Sequence, residues 1–248
     1  MKALVLEKAD GLDCAAIGEV DTPQPAAGEV RVALRAAALN HRELWITRGL
    51  YPGMQLPTTM GADGAGVIDA VGEGIDAARI GEEVVLYPAA NWGSNPDYPE
   101  DAFGCLGMPY AGTIADYICA PADSVVAKPA HLDMAAAAAV PLAGLTAWRA
   151  LITKAQLKSG DNVLVTGIGG GVATWALTFA KAMGANVFVT SSSQEKIDWA
   201  AQMGASGGVN YKEEKWGKAL GAMSGGIDVV IDGAPANSAT QYGRTLNM

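Results

Sequence analysis

The spacing of apolar positions changes character partway along the chain. Over residues 1–125 the apolar side chains recur at every second position in short segments, 3–6, 29–36, 66–71, 83–87, 115–119 and 124–127. That is the period of half-buried strands. Turn clusters such as Pro23-Gln24-Pro25 and Gly72-Glu73-Gly74 separate them. The stretch 87–110, with Asn91-Trp92-Gly93-Ser94-Asn95-Pro96 inside it, reads as a long loop. Loops of that length in a compact domain usually serve a function. Asp133 is placed to cap a short alanine-rich helix running toward Val140 and ending at Pro141. A second helix is predicted over 146–154.

After Lys158-Ser159-Gly160-Asp161 the pattern alternates between strand and helix. A buried strand at 163–166 meets the glycines Gly167, Gly169, Gly170 and Gly171. A helix follows with Val172, Trp175, Ala176, Phe179, Ala180 and Met183 at helical spacing, stopping at Gly184. Strands at 187–189, 208–210 and 227–231 alternate with helices over 194–203, 213–223 and 237–246. Successive units of this kind build a parallel, doubly wound sheet. The fold class is therefore α/β, with a β-rich domain over 1–125 and a doubly wound domain over 126–248.

The glycine turn carries the first chemical signal. Strand, glycine turn, helix and second strand form a unit of about 30 residues, the setting in which such glycines mark a dinucleotide site. A pyrophosphate sits against the unpaired amides and positive dipole end of a helix start, and any side chain on the turn would hold the backbone away. Ala173 stands where the last glycine of that fingerprint falls, which the glycine-or-alanine form allows. Only four sheet strands are found, against six in a complete dinucleotide-binding fold.

Composition narrows the partners. The 248 residues are 50% hydrophobic and 17% charged, as in a globular chain, and the 31 glycines suit a turn-rich α/β protein. A net charge of −9 argues against nucleic acid or an anionic membrane. No apolar run is long enough to span a bilayer, and Met1 leads straight into a strand rather than a signal peptide. Three scattered cysteines, Cys14, Cys105 and Cys119, read as reduced thiols of a cytoplasmic protein.

Several stretches together resemble the medium-chain dehydrogenase/reductase superfamily, especially its zinc-free quinone-oxidoreductase-like members. They are Ala38-Leu39-Asn40-His41-Arg42-Glu43-Leu44-Trp45, Gly49-Leu50-Tyr51-Pro52, Gly61-Ala62-Asp63-Gly64-Ala65-Gly66-Val67, Gly112-Thr113-Ile114-Ala115-Asp116-Tyr117, Pro141-Leu142-Ala143-Gly144 and the glycine turn. The resemblance implies a GroES-like substrate domain followed by an incomplete Rossmann domain, with roughly the final quarter of such a protein absent. In relatives that quarter includes the edge strand of a homodimer. The catalytic-zinc ligands of zinc-dependent relatives fall here at Asn40, Ala62 and Ala143, and two alanines cannot ligate a metal that needs about three protein ligands. No zinc is expected. Hydrogen-bond donors would then stabilise charge on a substrate oxygen.

Asn40, Tyr51 and His41 are the catalytic candidates, with Trp45 beside them. Asn40 and Tyr51 match positions lining the cofactor and substrate cleft in relatives, and Thr146 matches one near the nicotinamide. The remaining cofactor candidates are Gly167, Gly169, Gly170, Gly171, Val172, Ser191, Ser192, Lys196 and Tyr211. A site for NADH carries an acid at the end of the second strand to bind the ribose hydroxyl. Here Thr190-Ser191-Ser192-Ser193 offers neutral donors, and Gln194, Glu195 and Lys196 follow. The hydroxyls and the lysine suit a 2′-phosphate, so NADPH is expected over NADH. A serine with Glu195 could equally cap the helix from Gln194. The implied activity is hydride transfer to a small-molecule quinone, enal, enone or similar carbonyl. The alternatives are an alcohol or aldehyde dehydrogenase and a nucleotide-binding sensor without turnover.

Overall fold

A computed structural model describes residues 1–234 and 238–247. The chain divides into two compact units, Met1–Leu142 and Ala143–Met248. The first holds β1 (Lys2–Leu6), β2 (Ala15–Glu19), β3 (Glu29–Ala38), α1 (His41–Thr47), β4 (Thr58–Thr59), β5 (Asp63–Val71) and β6 (Glu83–Leu86). It continues with β7 (Ala89–Ala90), β8 (Gly104–Leu106), β9 (Pro109–Tyr110), β10 (Tyr117–Pro121), β11 (Val125–Ala127) and α2 (Met134–Ala138). Its main sheet runs β10-β3-β5-β6-β11, all antiparallel. Alternation buries Val30 and Val32 of β3 with Ile68, Val84, Leu86 and Ile118.

The division falls later than residue 125 because the next segment packs on this sheet. β11 pairs with β6, and α2 buries Ala137 and Ala138 against Ala65. Asp133 caps α2, its Oδ1 accepting from Ala136 N–H at 2.7 Å. The loop over 87–110 contains a small sheet, β7-β8-β9, whose strands are too short to show a period. The strand β2, Ala-Ala-Ile-Gly-Glu, has no alternation either, and pairing with β1 alone defines it.

The second unit begins within α3 (Pro141–Trp148), whose first two residues belong to the first unit. Pro141 thus opens a helix, at the position where its missing N–H costs least. The helix expected over 146–154 starts five residues earlier and closes in a π-helical turn, Arg149–Lys154. The sheet holds β12 (Asn162–Val165), β13 (Asn186–Ser191), β14 (Gly207–Asn210) and β15 (Val229–Ile231), all parallel, in the order β14-β13-β12-β15. Around it lie α4 (Gly171–Ala182), α5 (Gln194–Gln202), α6 (Trp216–Ser224) and α7 (Ala239–Tyr242).

The inner stripe of α4 is Ala173, Ala176, Leu177 and Ala180, against Val163, Val165, Val187 and Val189. It is rotated from the stripe expected. Trp175 and Phe179 stack at its margin, with Trp148 edge-on to Phe179, and Val172 is 36% exposed. α6 starts at Trp216, after Lys215 in a left-handed conformation, rather than at 213. The helix expected over 237–246 is represented by α7 and a 3₁₀ turn, Gly243–Thr245; its expected start at Asn237 lies outside the described residues. Among the described residues no helix is long and apolar enough to cross a membrane.

Candidate cofactor and substrate residues

β12 leads through Thr166 into the glycine turn. Gly167 and Gly169 take φ of 68° and 100°, the left-handed region that a side chain rarely enters. Gly167 N–H donates to Thr190 Oγ1 at 3.2 Å and Ile168 N–H to the Thr190 carbonyl at 2.9 Å. The turn is thereby tied to the end of β13, and Ile168, 2% exposed, anchors it in the core. Gly170 is the N-cap residue of α4 and no acid stands in the first turn. The leading N–H groups of a helix have no intrahelical partner. Together with the dipole they form an anion site.

The end of β13 presents no carboxylate. Ser191 is buried, its Oγ accepting from Ser193 N–H at 3.1 Å and its carbonyl from Tyr211 N–H at 3.0 Å. Ser192 is half-buried and its hydroxyl has no protein partner among the described residues. Ser193 caps α5 by accepting from Lys196 N–H at 3.4 Å. Lys196, not an acid, holds the third helical position, so Glu195 forms no reciprocal cap. The Lys196 side chain folds over the glycine turn: a Cβ on Gly169 would lie 3.0 Å from its Cδ and 3.3 Å from its Nζ. Gly167 and Tyr211 also line a cavity of about 460 Å³ with Trp216, Gly233 and Gln241. A larger cavity of about 780 Å³, between α6 and the α7 segment, is lined by none of the predicted residues.

A polar network lies directly behind the turn, and it had no motif in the sequence. Asp232, just past β15, accepts from Thr166 Oγ1 at 2.7 Å, from Ala234 N–H at 3.0 Å and from Tyr242 Oη at 2.5 Å. Thr166 Oγ1 accepts in turn from Gly233 N–H at 2.9 Å. Burial pushes the Asp232 carboxyl up, but the three donors outweigh it and hold the group below the ordinary carboxylate value. The same bond, with burial, pushes Tyr242 up to about 12. The only cue in the sequence was an acid directly after a buried strand.

Thr146 lies on the exposed side of α3, and a Cβ on Gly171 would stand 3.2 Å from Cβ of Ala143 on the same helix. Within the first unit, Asn40, His41 and Tyr51 gather around α1. Asn40 precedes the helix; its N–H donates to Glu43 Oε2 at 2.6 Å and its Nδ2 to Asp63 Oδ2 at 2.8 Å. Asp63 is 1% exposed, and its Oδ1 accepts from Leu142 N–H at 2.7 Å. Burial pushes the Asp63 carboxyl above its ordinary range, against the pull of those two donors. Glu43 is likewise raised by burial. His41 is exposed, its ring 5.4 Å from that of Trp45. Tyr51 is half-buried beside Leu6, Ile46, Met60 and Met108. Its hydroxyl accepts from Arg42 Nε at 3.3 Å, and the guanidinium carbon lies 4.8 Å from the ring centroid.

Comparison with known proteins follows the same division. Residues 26–130 match the alcohol dehydrogenase GroES-like domain, and residues 171–246 match the zinc-binding dehydrogenase domain. A zinc-type alcohol dehydrogenase-like protein, YogA of Leptosphaeria maculans, is 42% identical over 90% of this chain and 66% of its own. Quinone oxidoreductase 1 of Escherichia coli is 30% identical over 86% of this chain and 60% of its own. A solved structure of an NAD-dependent alcohol dehydrogenase superimposes with a TM-score of 0.93 at 36% identity, covering 99% of this chain and 74% of that one. The chain belongs to the medium-chain dehydrogenase/reductase superfamily, a superfamily of oxidoreductases. It spans 66% and 60% of the length of these two curated relatives.

Proposed function

We propose that the protein is an NADPH-dependent oxidoreductase that reduces a quinone, an enal or enone, or a similar conjugated carbonyl without a metal. The observation that carries the cofactor preference is Lys196 lying across Gly169, with no carboxylate at the end of β13. A lysine and a free serine hydroxyl favour a 2′-phosphate, where a carboxylate would repel it. The glycine turn and the start of α4 suit the pyrophosphate, and the cavity beside Gly167 and Tyr211 suits the adenosine end. When bound, the reduced nicotinamide supplies the hydride. Asn40, Tyr51 and His41 are the polar groups of the first unit assigned to the substrate and nicotinamide, and Thr146 serves the nicotinamide side.

The donor set does not fit zinc. Ala62 and Ala143 carry no ligating atom, and the Asn40 amide is bonded to Asp63. Among the described residues no three His, Cys, Asp or Glu side chains gather. With no metal ligand set, hydrogen-bond donors carry the developing charge on the substrate oxygen. The relative named quinone oxidoreductase supports this substrate class, whereas the alcohol dehydrogenases among the relatives favour an alcohol or aldehyde instead. The test is nicotinamide consumption by chelator-treated protein with panels of quinones, enals and aldehydes. Turnover of conjugated carbonyls with NADPH is expected. Turnover confined to alcohols and aldehydes would select the second activity, and tight binding without any turnover would select a sensor.

A further inference from the structure

Arg42 is almost wholly enclosed, its side chain 10% exposed, yet among the described residues it forms one ion pair, with Glu43 Oε1 at 3.4 Å. Its guanidinium works mostly on neutral oxygens. One terminal nitrogen donates to the Leu106 carbonyl at 2.7 Å and the other to the Met108 carbonyl at 3.3 Å. The third nitrogen, Nε, donates to Tyr51 Oη at 3.3 Å. The side chain thus links three separate stretches of the first unit: α1, the segment from β8 to Met108, and the turn at Tyr51.

The chemistry of the pair is directional. A guanidinium carries only donors and cannot accept the tyrosine proton. With Arg42 occupying a lone pair of Oη, the Tyr51 O–H must point elsewhere, and no other residue among those described accepts it. The ring is held as well, because the cation sits over its face at a distance where cation–π attraction acts. Both contacts fix one rotamer and one role for the phenol.

We propose that Arg42 is a positioning residue that fixes Tyr51 as a hydrogen-bond donor toward the substrate oxygen, a role that rests on Tyr51 serving the substrate as proposed above. In this role Arg42 acts on the substrate through the phenol of Tyr51. Its neighbours in sequence, His41 and Glu43, cannot replace it: His41 is exposed beside Trp45, and Glu43 is an acceptor.

The test is a double-mutant cycle on the full chain, with NADPH and para-benzoquinone. Arg42→Lys keeps a cation on the segment but removes the Nε donor, so the Tyr51 hydroxyl loses the bond that orients it. Tyr51→Phe removes the hydroxyl. Loss of one preorganised donor to a developing oxyanion costs about 100-fold in kcat. Tyr51→Phe is expected to show a loss of that order, Arg42→Lys a substantial part of it with KM nearly unchanged, and the double variant no further loss. Equal and independent losses, or an Arg42→Lys enzyme with full kcat, would overturn the role of Arg42 while leaving that of Tyr51. Full kcat in Tyr51→Phe would overturn the Tyr51 donor itself and the role of Arg42 with it. Thermal melting of each variant separates these outcomes from unfolding.

Discussion

The side chain of Lys196 lies across Gly169, so that a Cβ at position 169 would approach its Cδ to 3.0 Å and its Nζ to 3.3 Å. Two residues more than twenty positions apart in the chain therefore set a cation beside the glycine turn. The capping of α5 by Ser193 fixes the backbone of Lys196, and the left-handed Gly169 leaves the space its stem fills.

Removing that cation gives a selective effect. A hydrogen bond to a charged group is worth about 1.5–3 kcal/mol. Lys196→Ala is expected to weaken NADPH about 10-fold or more and NADH hardly at all, as read by calorimetric titration of both cofactors. Equal weakening of the two would place Lys196 away from the 2′-phosphate.

Gly169→Ala tests the same contact from the other side. A residue with a Cβ in the left-handed region costs roughly 1–2 kcal/mol, and here the methyl also displaces Lys196. A lowered melting temperature together with weaker NADPH binding is expected.

The bond from Asn40 to Asp63 is a donor–acceptor pair with a fixed polarity. Asp63→Asn still accepts from Leu142 N–H but turns an amide toward another amide. A loss on the order of 1–3 kcal/mol is expected from the unpaired buried donor. Combining Asn40→Asp with Asp63→Asn restores the pair in reverse, and thermal melts should recover most of the lost stability. No recovery would mean that the two side chains do not act as a pair.

Tyr242 gives a pH dependence with a definite sign. Its bond to Asp232 needs the protonated phenol, and its value is raised from 10.0 to about 12. The stability it adds is whole below pH 10 and is lost as pH rises through about 12. Asp232 is held below its ordinary value, so its share is present at neutral pH and lost only on strong acidification. Denaturant midpoints across the alkaline range should fall less steeply in Tyr242→Phe than in the parent. Identical profiles would show that the bond does not contribute.

The fold was legible where period and punctuation agree. The strand at Val163, the glycine turn and the strand ending near Ser191 repeat a short, local pattern of apolar runs and glycines, and the structure follows it closely. Strands β7, β8 and β9 were not legible, because segments of two or three residues have no period and form through pairing across the chain. The rotated face of α4 had a different cause: Trp175 and Phe179 look like core by type but pack on each other and on Trp148 at the margin. Of the candidate residues, the glycines and Lys196 stand out from their spacing around the strand and helix ends. Arg42 and Asp232 do not, since their partners, at Leu106, Met108 and Tyr242, are set by tertiary contact alone.

The most direct test of the central claim is kcat/KM for NADPH and for NADH with one quinone acceptor, on protein whose metal content has been measured. A clear preference for NADPH in protein with far less than one zinc per chain is predicted. A preference for NADH, or activity that tracks stoichiometric zinc and is lost on chelation, would contradict a metal-free NADPH-dependent reductase.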